Sequence, residues 1–177
     1  MKIFFLFLIV LTINSCGDFL DDYESNPLDS SSIDQEICRI LNELESISAS
    51  TIQADSLTTI TIFDSLVQDT LSFIHLSNVN NWEIPIDGSS YFILHAPQEA
   101  DSYFVAFNSF SEFHLYNGDG VMVEPDSETT SLKSIAGCPD IRVRQTFSDL
   151  NGAFLAELVN PNVSSVKMVI MNTNNAP

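Results

Sequence analysis

Residues 103–123 read YFVAFNSFSEFHLYNGDGVMV and carry the clearest structural signal in the chain. Tyr103, Val105 and Phe107 alternate with Phe104, Ala106 and Asn108, and the same period of two returns where Phe113 and Leu115 alternate with Glu112, His114 and Tyr116. A period of two is typical of β-strands. The Asn-Gly-Asp-Gly run at 117–120 supplies residues that tolerate a positive φ, as a tight turn between strands requires. The stretch therefore predicts two strands, a turn and a return strand.

The same pattern extends over most of the chain beyond residue 55. A continuous apolar run at 91–95 predicts a strand covered on both faces, and Pro85 predicts an edge strand. About nine short strands with turn signals predict an antiparallel, jelly-roll-like β-sandwich over residues 50–172, with 173–177 as a tail. Ten candidate segments supply these strands, and they lie near 58–62, 70–73, 84–86, 91–95, 103–107, 113–115, 121–123, 141–143, 154–158 and 166–170.

One helix is predicted ahead of the strands, over residues 33–48. Ser32 stands three positions before Gln35, the spacing of a capping box. Apolar residues then recur at intervals of three and four, which is typical of one face of an amphipathic helix that packs against a domain. These residues are Ile33, Ile37, Ile40, Leu41, Leu44 and Ile47.

Composition limits the classes of function. The chain has 177 residues, which is the length of one domain, and 24 Asp and Glu against 6 Lys and Arg give a net charge of −18. A binder of nucleic acid needs clustered Lys and Arg, so the charge argues against that partner. With 45% apolar and 17% charged residues, the chain is not a disordered acidic polymer.

The N-terminus resembles that of a bacterial lipoprotein precursor. Lys2 precedes an apolar run at 3–13 that is too short to cross a bilayer, as in a signal peptide. The run ends at 11–16 in Leu-Thr-Ile-Asn-Ser-Cys, which looks like a lipobox, although Asn14 is an unusual occupant. The resemblance implies that residues 1–15 are removed and that Cys16 carries acyl chains.

The same resemblance implies a location and a partner. Cys16 would anchor the protein in a membrane of the bacterial cell envelope, with 16–32 as an acidic, Ser-rich tether. Gly17 stands where enteric lipoproteins retained at the inner membrane carry Asp, which favours the outer membrane.

A second resemblance concerns the strands themselves. Leu115-Tyr116-Asn117-Gly118-Asp119-Gly120 and the later Phe147 with Gly152-Ala153-Phe154 are similar to strand and turn motifs of jelly-roll-like domains at the C-termini of secreted bacterial peptidases. This likeness supports the sandwich and implies no function, since a fold alone does not specify one.

Two further cysteines predict a disulfide bond. Once Cys16 is lipidated, Cys38 and Cys138 remain, and thiols in an oxidising compartment often pair. The bond would join the helix to the loop around Gly137-Cys138-Pro139. The alternative is two unconnected cysteines, one of them buried under the helix.

The acidic loop after the 117–120 turn is a candidate calcium site. Oxygen ligands are what calcium prefers, but the EF-hand order is absent, so the ion would bind a loop. The alternative is a solvated acidic surface that keeps the protein soluble. No cofactor is required by the sequence. The candidate ligands are Asn117, Asp119, Glu124, Asp126 and Glu128.

Other candidate sites are sparse. His75, His95 and His114 lie in predicted strands without zinc-site spacing, which favours structural roles. Trp82 with Asn80 and Asn81 forms a candidate ligand-binding surface, for a sugar ring in particular, although a lone Trp at a strand start also serves to close a sandwich.

These observations predict a non-catalytic module. The chain shows no nucleophile elbow, zinc-protease motif or phosphate-binding loop. The leading hypothesis is an envelope protein that binds a glycan or a partner protein, or that has a structural role. The alternative is a secreted hydrolase, or an accessory subunit of a glycan- or protein-degrading system.

Overall fold

The computed structural model of the protein describes residues 28–53, 57–96, 102–130 and 138–175. The predicted signal peptide, Cys16 and most of the predicted tether lie outside these ranges. Within them the chain forms two α-helices and eleven strands. In chain order these are α1 (Leu28–Glu43), β1 (Ile47–Ser48), α2 (Thr59–Leu66), β2 (Ile74–His75), β3 (Asn81–Pro85), β4 (Gly88–Ala96), β5 (Ser102–Phe107), β6 (Glu112–Tyr116), β7 (Met122–Val123), β8 (Ser127–Thr130), β9 (Val143–Ser148), β10 (Gly152–Asn160) and β11 (Ser165–Asn172).

The strands form two sheets that pack face to face, so the predicted β-sandwich is confirmed. The six-stranded sheet has the order β1-β3-β11-β5-β9-β8, and the five-stranded sheet has the order β2-β4-β10-β6-β7. Most neighbours are antiparallel, but the short strands β1 and β2 pair with β3 and β4 in parallel. The prediction of a purely antiparallel fold is wrong at these two edges, because the segments that carry α2 and β3 provide crossover connections.

Aromatic side chains fill the space between the sheets. Tyr103, Phe107 and Phe147 are each at most 1% exposed. The Phe113 ring of β6 lies 5.1 Å from that of Phe107 and 6.2 Å from that of Phe147. Each such buried side chain stabilises the fold by about 1.5–3 kcal/mol. These contacts place β6 of one sheet opposite β5 and β9 of the other.

Strand β4 is covered on both faces, as its apolar run predicts. Phe92 and Leu94 point into the core between the sheets. Ile93 points the other way and packs with Leu155 and Ile62, which lies on α2. The helix therefore covers the outer face of the five-stranded sheet.

Helix α1 covers the outer face of the six-stranded sheet. Its buried residues Ile37, Ile40 and Leu41 pack against Val169 and Met171 of β11. The helix begins and ends about one turn earlier than predicted, at Leu28 and Glu43. The fully buried Asn81 side chain donates its Nδ2 hydrogens to the carbonyl oxygens of Leu41 and Leu44. These bonds satisfy carbonyl groups that the helix end leaves unpaired, so Asn81 of β3 caps the C-terminal end of the helix.

Two further links join α1 to the sandwich. Arg144 of β9 donates to Asp34 of α1 over 2.6 Å, and both side chains are buried. Cys38 of α1 is bonded to Cys138, with a sequence separation of 100 residues. The predicted disulfide bond is therefore present in the structure.

The strands predicted at 58–62 and 70–73 are wrong. Residues Thr59–Leu66 form α2, and Thr70–Ser72 form a turn of 3-10 helix. Thr58 caps α2, since its hydroxyl accepts from the backbone N–H of Thr61 at 3.3 Å. Burial of Ile62 against the sheet outweighs the β-propensity of the Thr-Ile alternation, as tertiary packing often does.

Two smaller predictions also change. Pro85 is the last residue of β3, which is the second strand of its sheet, so the prediction of an edge strand is wrong. The edge strand β1 pairs with Trp82 and Glu83 of β3 and does not reach Pro85. Pro85 therefore needs no hydrogen bond on that side. Part of the predicted tail forms a short 3-10 turn, Thr173–Asn175.

Candidate functional site

The candidate sugar-binding surface around Trp82 is built into the fold. Asn81 is 1% exposed and caps α1, as described above. Trp82 is half-buried, packs against the core between the sheets and has a buried indole nitrogen. Asn80 is also half-buried. The structure therefore gives Trp82 the packing role of the alternative interpretation, not that of an exposed stacking platform.

The candidate calcium ligands do not converge on one point. The Asn117 side chain accepts from the backbone N–H groups of Asp119 and Val121, so it shapes the turn. Within the described ranges, one group of three acidic, cysteine or histidine side chains has its ligand atoms within 4.8 Å, and it contains Cys38, Cys138 and Asp140. The two sulfurs of that group are bonded to each other, which removes them as metal ligands.

The three histidines separate into a pair and a single residue. His75 and His95 face each other across β2 and β4, with ring centroids 5.2 Å apart, and Phe73 lies 5.7 Å from His95. His114 lies opposite Glu157 on the other side of β10. The strand order thus keeps His114 away from the pair, as expected for structural residues.

Acidification should destabilise the fold through His95. Burial, together with the nearby His75, lowers the pKa of His95 below the ordinary value of 6.5. The unfolded chain therefore binds this proton first as the pH falls. The contribution to stability is present above about pH 6.5 and is lost as the pH falls through the lowered folded-state value.

The test is the urea midpoint of unfolding at about pH 7.5 and about pH 5.5. We expect the midpoint of the wild type to fall with pH and that of His95→Phe to fall less. His114→Phe is the matched control and should behave as the wild type does. An identical loss in wild type and His95→Phe would contradict this role for His95.

A hydrogen-bonded cluster occupies the outer face of the five-stranded sheet. The two carboxylate oxygens of Glu157 accept from the hydroxyl groups of Tyr91 at 2.6 Å and Tyr116 at 2.9 Å. Burial and the bonds to Glu157 raise the pKa of each tyrosine to about 12. Both hydroxyls are thus held in the protonated form, which suits a structural bond and not a nucleophile or a base.

An open cleft lies where the edges of the two sheets meet. Strands β6 and β7 border it on one side, and β8 and β9 border it on the other. Its volume is about 280 Å³. Its lining consists of Ser111, Glu112, Phe113, His114, Met122, Val123, Glu124, Pro125, Glu128, Val143 and Gln145, and we call it the edge cleft. A second cleft of about 490 Å³ continues it past Phe110 towards Asn160 and shares Glu112 and Glu128 with it.

Gln145 is the unusual residue of the edge cleft. It lies between the core residues Val143 and Phe147 on the inward face of β9 and is 5% exposed. Its Nε2 donates to Glu128 at 2.7 Å, while its buried Oε1 has no hydrogen-bond partner. A buried acceptor without a donor costs about 1–3 kcal/mol. Gln145 is therefore a lining residue of the cleft whose acceptor has no donor and almost no exposed surface of its own.

The sequence contains a signal for this site that sequence reasoning missed. The period of two at 143–147 places a polar glutamine on a face that is otherwise apolar. Two acids of the cleft, Glu124 and Glu128, are also among the predicted calcium ligands. They line the cleft, and their carboxylates do not form one group with those of Asp119 or Asp126. Only the pairing of β8 with β9 brings Glu128 to Gln145.

Comparisons with known proteins found no relative from which a function could be assigned. No protein-family model, curated protein or solved structure matches the chain. Within the described residues, neither helix combines the length and the apolar character needed to cross a membrane.

Proposed function

We propose that this protein is a lipid-anchored protein of the bacterial cell envelope whose β-sandwich is a non-catalytic binding module. The proposed binding site is the edge cleft, and the proposed partner is a glycan or an envelope protein. The observation that carries the proposal is an open cleft whose lining includes Gln145, a buried residue with an unpaired Oε1.

The chemistry of the cleft supports recognition. Phe113, Val123 and Val143 form an apolar floor, and Gln145 and the glutamates add polar groups. Apolar walls with a few placed polar groups are typical of ligand sites. Oε1 has no donor in the free protein, so a ligand donor that reaches it after a turn of the Gln145 side chain gains a bond without breaking one at that oxygen.

The proposed anchor rests on the lipobox-like sequence before Cys16. Several acyl chains hold a protein at a membrane far more firmly than one chain does. The net charge of −18 would keep the domain off an anionic membrane surface, since like charges repel. A binding module on such an anchor would be displayed towards soluble or cell-wall partners.

The binding test compares Gln145→Leu with the wild type. The full chain is screened against cell-wall glycans and envelope peptides. We expect a ligand whose affinity falls at least about tenfold in Gln145→Leu, the usual range for loss of a buried hydrogen bond. Gln53→Leu, which changes an exposed glutamine, is the matched control and should bind normally. A ligand that binds all three proteins equally, or turnover of a screened compound, would overturn the proposal.

The anchor is tested in a bacterium that produces the full chain. The wild type should be found in the membrane fraction and carry acyl mass on Cys16, whereas Cys16→Ala should lose both properties. Cys138→Ala, which removes a cysteine from the folded domain, is the control and should keep the acyl mass. An unmodified Cys16 in the wild type would overturn the anchoring proposal.

A further inference from the structure

We infer that the edge cleft takes a lysine or arginine side chain presented by a partner polypeptide. This inference rests on the proposed binding function and adds the chemistry of the ligand. Three properties of the cleft support it: the charge of its lining, the orientation of Gln145 and the size of its apolar floor.

The lining of the edge cleft is acidic. Glu112, Glu124 and Glu128 line it, and no Lys or Arg of the described ranges does so. Arg142 lies beside the adjoining cleft, since its guanidinium carbon is 6.0 Å from the ring centroid of Phe110. A cleft lined by one sign of charge attracts ligands of the opposite sign.

The described cations pair with acids or line surfaces other than the edge cleft. Arg39 lies on α1 and pairs with Glu36 and Glu43. Arg144 pairs with Asp34 under the same helix. Arg142 and Lys167 line a separate cleft beside the end of α1. The structure therefore separates its described positive charges from the edge cleft.

The orientation of Gln145 specifies a hydrogen-bond donor. Its amide hydrogens face Glu128, because only the amide nitrogen can donate to that carboxylate. The atom left unpaired is the carbonyl oxygen, which accepts. An ammonium group has three donor hydrogens and a guanidinium group has five, so either can bond to a glutamate of the lining and also to Oε1 once the Gln145 side chain turns towards the cleft.

The size of the edge cleft favours one side chain over a whole small molecule. Ligand pockets usually measure about 300–1,000 Å³, and this cleft measures about 280 Å³. Val123, Val143 and Phe113 offer apolar surface for the methylene groups of a Lys or Arg stem. The adjoining cleft of about 490 Å³ leaves room for neighbouring residues of the same segment.

A single metal ion fits this arrangement less well. The three glutamates form no group whose oxygens lie within 4.8 Å of one another among the described residues. An ion needs several ligands at one centre. Spaced acceptors around an apolar floor instead match a long side chain with several donors at its end.

The experiment uses the full chain and a synthetic peptide in which lysine alternates with apolar residues. The matched probe is the same peptide with acetylated lysines, which keeps the stem and removes the charge. We expect acetylation, Gln145→Leu and the triple change Glu112→Gln, Glu124→Gln, Glu128→Gln each to weaken binding at least about tenfold. The control triple Asp64→Asn, Asp69→Asn, Asp87→Asn removes three exposed charges elsewhere and should leave binding unchanged. Urea unfolding shows that each variant is folded.

Three outcomes would overturn the inference. The two peptides could bind equally, the two triple variants could lose binding equally, or the lysine peptide could fail to bind. If a neutral glycan from the screen still binds in a manner sensitive to Gln145→Leu, the proposed function stands and only the cationic ligand is rejected. If no ligand responds to Gln145→Leu, both are rejected.

Discussion

Replacing Asp34 by alanine should lower the free energy of unfolding by about 3–5 kcal/mol. The change leaves the guanidinium of Arg144 buried between α1 and the six-stranded sheet without its carboxylate. Its Nε already has no hydrogen-bond partner, so no second acceptor is in place to compensate. An uncompensated buried charge is among the most costly defects a folded protein can carry.

The pKa of Asp34 shows that burial opposes the charged form of this carboxyl more strongly than Arg144 favours it. Burial raises the pKa of this carboxyl above its ordinary value, while Arg144 acts in the opposite direction. An acid whose folded pKa is raised stabilises the fold below its unfolded pKa, and this contribution is lost as the pH rises through the folded value.

A matched set of variants tests how the Asp34–Arg144 pair contributes to stability. Asp34→Ala alone should be strongly destabilised in urea unfolding, whereas Asp34→Leu combined with Arg144→Met should retain most of the wild-type stability. Glu36→Ala, which breaks a solvent-exposed pair with Arg39, is the control and should change stability much less. A double variant as unstable as Asp34→Ala would show that the ion pair contributes stability directly.

Removing the Cys38–Cys138 bond should cost about 2–5 kcal/mol. The bond closes a segment of 100 residues, and a loop of that length restricts the unfolded chain by about 4–5 kcal/mol in the chain-entropy description. It also ties α1 to the segment before β9, next to the buried Arg144. We therefore expect α1 to be the first element exposed when the bond is absent.

The test compares oxidised wild type, reduced wild type and the double variant Cys38→Ser, Cys138→Ser in urea. The last two should unfold at similar, lower urea concentrations, and hydrogen exchange should be fastest in α1. Cys16→Ser in the oxidised protein is the control and should match the wild type. Two free thiols at Cys38 and Cys138 in the untreated protein would contradict the prediction.

The sandwich itself could be predicted from local pattern. The alternation at 113–115 requires one apolar face, and burying such faces against each other leaves two packed sheets as the solution. The run at 91–95 has no polar face, and β4 is indeed covered on both sides. Helix α1 could be predicted from the 3.6-residue period of its apolar side chains, because that period is a property of the segment alone.

Elements whose state depends on a distant partner could not be predicted in this way. Residues 59–66 alternate as a strand would, yet they form α2 because Ile62 finds an apolar surface on β4 and β10. Helix α1 ends at Glu43 because Asn81, far along the chain, satisfies its last carbonyl groups. Local pattern contains no information about such a partner.

The candidate site shows the same division. Sequence showed that acids are dense after residue 117, but not whether their oxygens meet. The tertiary structure brings no three of these acids to one centre, and it places Glu128 beside Gln145 through the pairing of β8 with β9. A binding site requires convergence in space, which strand order and register determine. Local pattern was therefore enough for the sheets, whereas the edge cleft exists only because two sheet edges meet.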